Sequence, residues 1–367
     1  MTEMTRIPDF HDPERAGDPA FTPDVPAIQA AADALREQGG ARLYGDTARG
    51  LELLVIDNQK DFAAYGGALY VGGRAGDGAP RDSARLAEFI YRNLNTIERV
   101  TPTLDTHHPT QIFFPGFWID PDGNRPAPLS TITADDLRRG RWRPDPAARA
   151  VVPAGDHDLP PEAWARRQAL HYAEQLEASG RYALTIWPYH CLAGTRGHTL
   201  EGVFDQARLF HAFARGAPAT PILKGEDGFS ESYSAFAPEV ASRHDGDQPL
   251  AAPAPEAERM LARLSETPAL VVAGQAASHC VLWSMDDLLT RLDRFRAAGQ
   301  QVPEVYLLSD CTSPVAVPDG QGGFLADFTD DAAAAMRRWR DAGVHLVDTA
   351  TPVADWPGAA GDVARAS

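Results

Sequence analysis

Residues 51–57 read Leu-Glu-Leu-Leu-Val-Ile-Asp, a short and mainly apolar run that ends in a carboxylate. A continuous apolar run of this length is typical of a strand that is covered on both faces, as in a parallel sheet. Similar runs recur along the chain. They predict further strands at 101–104, 182–187, 220–223, 269–273, 305–308 and 345–347.

Helical patterns separate most of these runs. Apolar residues form one face of a helix between Leu86 and Ile97, and another between Val281 and Phe295. A third helix is predicted between Pro161 and Gly180. Short buried strands that alternate with amphipathic helices predict an α/β fold. We expect a doubly wound, mainly parallel six-stranded sheet with helices on both faces, a three-layer Rossmann-like architecture.

The chain divides into three parts by composition. Residues 1–50 are rich in Pro, Asp and Gly and form an N-terminal extension with one predicted helix at 25–38. Residues 51–350 are the α/β domain, interrupted at about 113–180 by a stretch rich in Pro, Asp and Arg that we interpret as an insertion. Residues 351–367 show no periodicity and are expected to form a loose tail.

Charge and cysteine content exclude several classes of function. The 367 residues include 34 Lys and Arg and 51 Asp and Glu, which gives a net charge of −17. Nucleic acid and anionic membranes are therefore unfavourable partners. No apolar run approaches the roughly 20 residues of a membrane span, and the N-terminus lacks the apolar stretch of a signal peptide. Three cysteines are too few for a disulfide framework. A cytoplasmic location is therefore predicted.

Chemically reactive side chains follow the predicted strands. In an open parallel sheet, ligands bind beyond the carboxyl ends of the strands, so these positions are candidates for a site. The residues are Asp57, Asp105, His107, His190, Lys224 and Cys280.

Cys280 is the first candidate for a nucleophile. It is predicted to lie at a helix N-terminus, where the free N–H groups and a nearby lysine lower the pKa of a thiol. A carboxylate such as Asp57 could take the thiol proton, and Lys224 could stabilise both groups. A buried, inert cysteine, a turn-forming aspartate and a solvated lysine are the alternatives. Cys191 and Cys311 are interpreted as structural.

Asp105, His107 and His190 are candidate metal ligands. Oxygen and imidazole ligands suit zinc, iron or manganese and leave positions open for water or substrate. On spacing alone, three polar residues are equally compatible with ordinary hydrogen bonding.

Five segments, in this order, resemble the isochorismatase-like superfamily of cysteine hydrolases, and within it the nicotinamidases. They cover most of the α/β domain. The segments are 55–62 (VIDNQKDF), 105–107 (DTH), 187–197 (WPYHCLAGTRG), 224–225 (KG) with 232–236 (SYSAF), and 274–281 (GQAASHCV).

The resemblance implies a catalytic set and a metal site. Cys280 would be the nucleophile, Asp57 the general base and acid, and Lys224 the third member of the set. Asp105, His107 and His190 would hold a divalent metal ion, zinc first, with iron or manganese as alternatives. The common Asp-x-His-Pro segment carries one additional histidine here, so His108 competes with His107 as a ligand.

The resemblance also implies a substrate pocket and a reaction. Phe62 and Trp187 would enclose the substrate ring. A cis peptide bond is expected between Gln275 and Ala276, with the N–H groups of Ala276 and Cys280 directed at one oxyanion. The reaction would convert nicotinamide to nicotinic acid and ammonia through a thioester.

Alternative substrates remain open at this stage. A related amidase, a ureidohydrolase or an isochorismatase-type hydrolase would keep the same fold and act on another small molecule. The partner would be a small-molecule amide, and the sequence leaves open whether the chain forms a homo-oligomer. Lys60 would bring a second positive charge close to Asp57, and a basic run at 138–143 could cover the cleft and select an anionic substrate.

Overall fold

A six-stranded, all-parallel sheet lies at the centre of this computed structural model, which describes residues 5–45, 50–154, 159–180 and 183–366. The strands within these ranges are β1 (Leu51–Ile56), β2 (Ile97–Asp105), β3 (Trp118–Ile119), β4 (Thr131–Ile132), β5 (Arg143–Pro144), β6 (Leu184–Thr185), β7 (Ile222–Lys224), β8 (Ser242–Arg243), β9 (Gly246–Pro249), β10 (Ala269–Gly274), β11 (Glu304–Leu308), β12 (Ala316–Pro318), β13 (Phe324–Asp327) and β14 (His345–Val347).

The same ranges contain the helices that surround the sheet. They are α1 (Val25–Glu37), α2 (Lys60–Ala63), α3 (Gly78–Arg92), α4 (Ala134–Arg138), α5 (Pro161–Ser179), α6 (Gly202–Arg215), α7 (Pro255–Leu264), α8 (Cys280–Ala297), α9 (Thr329–Asp341) and α10 (Gly358–Ala366). None of the described helices is long and apolar enough to cross a membrane.

The central sheet has the strand order β14-β11-β10-β1-β2-β7. Alternate residues of β1 enter different cores, because successive side chains of a strand point to opposite faces. Leu53 and Val55 pack with α1, α3, α6 and α10, whereas Leu54 and Ile56 pack with α7, α8 and α9. The predicted doubly wound, six-stranded parallel fold is therefore confirmed.

The topology places a crevice at the end of β1. The chain proceeds from β1 to β2 and β7 on one side, and then crosses to β10, β11 and β14 on the other. Ligands bind at such a switch point, beyond the carboxyl ends of the strands. Gly274 ends β10 here with φ +115°, and a Cβ at this position would lie 2.0 Å from the Ile56 carbonyl oxygen. Only glycine allows this approach.

Three details of the sequence prediction are wrong. The helix expected to continue to Ile97 ends at Arg92, and Ile97 is the first residue of β2. The strand expected at 182–187 contributes nothing to the central sheet; residues 181–182 lie outside the described ranges, and Leu184–Thr185 pairs antiparallel with β4. The tail after residue 351 is not loose, because α10 buries Ala360 and Ala364 in the same core as α3 and α6. Small alanine and glycine residues gave this helix a weak apolar pattern.

The insertion and the N-terminal extension both pack against the α/β domain. Trp164 and Tyr172 of α5 form a separate aromatic core with Trp187 and Phe229. The Lys60 ammonium group donates to the backbone carbonyls of Pro19 (3.1 Å) and Phe21 (2.7 Å). Lys60 thus anchors the extension, and the prediction that it brings a second positive charge to Asp57 is wrong.

Candidate active site

Asp57, Lys224 and Cys280 come from three separate elements and meet at the switch point. Asp57 follows β1, Lys224 is the last residue of β7, and Cys280 is the first residue of α8. The Lys224 Nζ lies 2.8 Å from Asp57 Oδ2 and 3.7 Å from Cys280 Sγ. All three side chains are buried, with 0 to 6 % of their surface exposed. The structure therefore brings the predicted acid, amine and thiol together.

Further hydrogen bonds fix the carboxylate and the ammonium group. Asp57 has a positive φ of 41°, its backbone N–H donates to Thr103 Oγ1 (3.0 Å), and the Thr103 hydroxyl donates back to Asp57 Oδ1. Lys224 Nζ also donates to Asp105 Oδ1 (3.0 Å) and to the Ser232 carbonyl (2.9 Å). The ammonium group therefore connects the predicted catalytic set to the predicted metal ligands.

Burial determines the resting protonation of the site. It raises the pKa of the Cys280 thiol well above its usual value, and Asp57 adds to the rise while Lys224 only partly offsets it. Burial also raises the pKa of Asp57 against the opposing effect of Lys224. For Lys224, burial lowers the pKa, but Asp105 and Asp57 outweigh it and hold the pKa well above the usual range.

The predicted lowering of the thiol pKa is thus wrong, although the position at the start of a helix is correct. Desolvation of the charged form exceeds the effect of the helix N-terminus and the lysine. The raised pKa favours a protonated resting thiol, so attack on an amide by Cys280 needs a base beside it. The carboxylates of Asp57 and Asp105 both lie within 4.8 Å of the Cys280 Sγ, and Asp57 is the one that hydrogen-bonds to the thiol.

The loop before Cys280 presents two backbone N–H groups. The Gln275–Ala276 peptide bond is cis, as the resemblance implied. Within the described part of the chain, the N–H groups of Ala276 and Cys280 donate to no protein acceptor, and both residues line the cavity around the thiol. Such donors can stabilise an oxyanion formed beside Cys280.

Asp105, His107 and His190 form a buried cluster with the chemistry of a metal site. One ligand atom from each lies within 4.8 Å of the others. The Nδ1 atoms of His107 and His190 donate to the carbonyls of Gly225 (3.1 Å) and Pro188 (2.8 Å). These bonds leave both Nε2 atoms directed at the cluster, which is the arrangement that second-shell carbonyls give to metal-binding histidines.

The surroundings of this cluster fit a cation. His107 Nε2 is buried and lies 3.0 Å from Asp105 Oδ2 without an aligned hydrogen bond. Burial lowers the pKa of His107, which favours a neutral imidazole, whereas Asp105 outweighs burial and raises the pKa of His190. A Cβ on Gly225 would lie 2.7 Å from Asp105 Oδ1, so glycine makes room for the ligands. His108 is exposed, and the structure places His107 in the cluster instead.

A small cavity opens onto the thiol. Phe62 and Trp187 line it, as predicted for a substrate ring. The Trp187 Nε1 donates to the Tyr233 hydroxyl (2.9 Å), which fixes the indole. The remaining lining residues are Leu69, Val71, Asp105, His190, Glu231, Tyr233, Ala276, His279, Cys280 and Val315.

Glu231 is a cavity residue that the sequence analysis missed. It is 4 % exposed, and its backbone N–H donates to the hydroxyl of Tyr172 in the insertion (3.2 Å). Burial raises its pKa to about 8. Its position directly before the recognised segment 232–236 is the one signal that could have indicated it.

Three of the four arginines of the basic run at 138–143 form ion pairs with nearby carboxylates. Arg138 pairs with Glu174 (2.6 Å), Arg139 with Asp135 (2.9 Å) and Arg141 with Asp136 (3.3 Å). These exposed pairs compensate the positive charge locally. The run therefore gives no support for selection of an anionic substrate.

Comparisons with known proteins find structural similarity only. No family model and no curated protein matches the chain. Over 81 % of the chain, the fold is similar to the yeast nicotinamidase Pnc1p bound to nicotinaldehyde (99 % of that chain, 17 % identity, TM-score 0.48). It is also similar to the Pyrococcus horikoshii pyrazinamidase in complex with zinc (81 % of this chain, 98 % of that chain, 18 % identity, TM-score 0.41).

A third structure gives the same level of agreement. The Acinetobacter baumanii nicotinamidase pyrazinamidase matches 83 % of this chain and 99 % of its own, at 17 % identity and a TM-score of 0.46. These values are too low for a similar structure to decide what this chain does. Its function is therefore inferred from its own side chains.

Proposed function

We propose that this chain is a cysteine hydrolase that cleaves the C–N bond of a small aromatic carboxamide, with nicotinamide as the substrate. The observation that carries the proposal is the Lys224 ammonium group, which lies 2.8 Å from the Asp57 carboxylate and 3.7 Å from the Cys280 thiol beside a cavity. A nucleophile, a base and a cation within reach of one another are the parts that acyl transfer through a thioester requires.

The first half of the reaction makes the thioester. Asp57 takes the thiol proton as the Cys280 Sγ attacks the amide carbon, and the N–H groups of Ala276 and Cys280 stabilise the oxyanion. The protonated Asp57 then gives its proton to the leaving nitrogen, the C–N bond breaks, and ammonia departs. The raised pKa of Asp57 suits a group that must both accept and return a proton.

The second half consumes water. Asp57, again ionised, takes a proton from a water molecule whose oxygen attacks the thioester carbon. The C–S bond breaks, the proton returns to the Cys280 sulfur, and the carboxylic acid leaves. Lys224 stays protonated throughout, because its contacts to Asp57 and Asp105 hold its pKa high.

Asp105, His107 and His190 would hold a divalent metal ion beside this set. A bound ion, with zinc as the first choice and iron or manganese as alternatives, supplies a Lewis acid and open coordination positions. Phe62 and Trp187 would enclose the substrate ring. All three cysteines are free thiols, which fits the predicted reducing, cytoplasmic location.

The test is ammonia release by purified protein whose metal content has been measured. We expect ammonia from nicotinamide, and a nicotinoyl thioester on Cys280 in the intact mass of acid-quenched enzyme. Cys280→Ala should abolish both. Cys311→Ala is the matched control, since Cys311 is equally buried but does not line the cavity.

Two results would reject the proposal. Metal-loaded, folded protein that releases ammonia from no amide would reject the hydrolase. Ammonia from another amide or from a ureido compound, but not from nicotinamide, would reject the substrate and keep the chemistry.

A further inference from the structure

The side chain of Gln275 connects the loop before Cys280 to α3, a helix that is distant in sequence. Gln275 is fully buried, and its Nε2 donates to Asp82 Oδ2 on α3 (2.8 Å). Its Oε1 accepts from the backbone N–H of Ser313 (3.2 Å), and its own N–H donates to the Ile56 carbonyl (2.7 Å). The residue is therefore held both at its backbone and at the end of its side chain.

Asp82 is a buried carboxylate with no part in the chemistry above. It is 3 % exposed, and its second oxygen, Oδ1, accepts from Arg85 Nη2 (2.7 Å). Arg85 Nε donates in turn to the carbonyl of Asp310 (2.6 Å). A chain of hydrogen bonds thus runs from Arg85 through Asp82 to the amide of Gln275.

This chain ends at a candidate oxyanion donor. The Ala276 N–H belongs to the peptide group that directly follows Gln275, so a fixed Gln275 restricts the direction of that N–H. On the other side, the Ala277 N–H donates to the Ser313 carbonyl (2.8 Å). Ser313 therefore holds the loop on both sides of Ala276, through Gln275 Oε1 and through the Ala277 N–H.

A buried carboxylate is costly unless charged or polar partners satisfy it, and the Gln275 amide is one of the partners that satisfy Asp82. The Gln275 side chain therefore connects Asp82 to the residue that directly precedes Ala276.

We propose that Asp82 and Gln275 are positioning residues, which direct the Ala276 N–H at the oxyanion formed on Cys280. The proposal rests on the proposed function. It adds that α3, through a side chain that touches neither substrate nor thiol, sets the geometry of the transition state. Positioning errors of this kind lower the rate of the chemical step more than the binding of substrate.

The test replaces Gln275 by methionine, which has similar length and volume but makes no comparable hydrogen bonds. For Gln275→Met we expect kcat to fall about tenfold to a hundredfold with KM changed less than about threefold, short of the loss that follows removal of a whole oxyanion donor. Binding of pyridine-3-carbaldehyde should weaken in parallel. This aldehyde forms a thiohemiacetal, in which Sγ bonds to the carbonyl carbon and the thiol proton passes to the oxygen.

Alkylation of Cys280 by iodoacetamide distinguishes positioning from a general structural role of Gln275. If Gln275 only maintained the structure of the loop, its replacement would also change the alkylation rate. Alkylation needs the thiol but no oxyanion donor, so its rate should stay within about twofold of wild type. Gln168→Met is the matched control. Gln168 is also fully buried, donates to the Ser242 carbonyl (3.2 Å) and accepts from the His244 N–H (2.9 Å), but it lies in the insertion away from the thiol.

The outcomes separate this inference from the proposed function. If Gln275→Met binds the aldehyde as tightly as wild type, the inference alone is overturned. The same holds if the alkylation rate of Gln275→Met falls by as large a factor as its kcat. Wild-type protein that neither binds the aldehyde nor releases ammonia overturns the proposed function and this inference with it. If Gln275→Met does not fold, Asp82→Asn is judged by the same criteria, because asparagine keeps the volume but has one oxygen for two donors.

Discussion

Replacing Asp57 by asparagine should separate two reactions of the same thiol. The change removes one negative charge and keeps the volume, and the new amide oxygen can still accept from the Thr103 hydroxyl. Amide hydrolysis needs a base and should nearly stop. Alkylation of Cys280 needs only the thiolate and should become faster, because the Asp57 carboxylate raises the pKa of the thiol in the wild type.

The size of both effects follows from the geometry. The Asp57 oxygen and the Cys280 Sγ lie within 4.8 Å, and two unit charges at that separation repel by about 3 kcal/mol at an effective dielectric constant of about 20. Relief of this repulsion favours the thiolate by up to roughly a hundredfold, and less if Asp57 is partly protonated at rest. We therefore expect alkylation of Asp57→Asn to be about ten to a hundred times faster. Loss of a general base should lower kcat by about 10²- to 10⁴-fold.

The assay follows iodoacetamide modification at pH 7 by mass spectrometry, with peptide mapping to assign the label to Cys280. Ammonia release is measured on the same samples, and Cys280→Ser provides the background. If Asp57→Asn slows alkylation together with hydrolysis, Asp57 maintains a thiolate in the resting protein and the argument from burial is wrong. If hydrolysis persists above about a tenth of wild type, Asp57 is not the base.

Three further changes test other parts of the site and the fold. His107→Ala should lower the zinc affinity of the apo-protein about a hundredfold or more in a chelator competition, whereas His108→Ala, at an exposed side chain, should leave it unchanged. Phe62→Leu should raise KM for nicotinamide about threefold to tenfold with little change in kcat, because one ring contact to the substrate is lost; an unchanged KM would place the ring elsewhere. His211 is buried with its pKa lowered to about 4, so the unfolded state, with a pKa near 6.5, binds more protons as pH falls. Urea unfolding should therefore show about 2 kcal/mol of stability lost between pH 7.5 and pH 5 on account of His211, and His211→Gln should lose correspondingly less.

The sheet was predictable because burial on both faces leaves a direct mark on a strand. Every residue of β1 and of β10 is buried, and both segments are apolar except for Glu52 in β1. The same criterion wrongly predicted a strand of the central sheet around Leu184–Thr185. Leu184 is buried in the aromatic core that includes the insertion, and not against the central sheet. The criterion did not predict the final helix, α10, because alanine and glycine pack closely without forming a strongly apolar pattern in the sequence.

The rule for strand ends predicted only part of the candidate site. Asp57 and Lys224 could be placed by the rule that ligands bind beyond the carboxyl ends of parallel strands. The partners that support them follow no local rule. Asp82 and Gln275 are 193 positions apart and are joined through one side-chain amide. Such contacts depend on how α3 packs on β10, which a pattern of single residues does not contain.

In the proposed mechanism, charge balance favours activation of Cys280 only during attack on the amide. Counted without a bound metal ion, the ionised carboxylates of Asp57 and Asp105 and the ammonium group of Lys224 carry one net negative charge in a region with 0 to 5 % exposure. A resting thiolate would add a second buried negative charge, which the raised pKa of Cys280 reflects. Transfer of the thiol proton to Asp57 leaves the net charge of the cluster unchanged. The buried cluster therefore favours a thiolate that forms as the amide carbon is attacked, with Asp57 as the group that accepts and returns its proton.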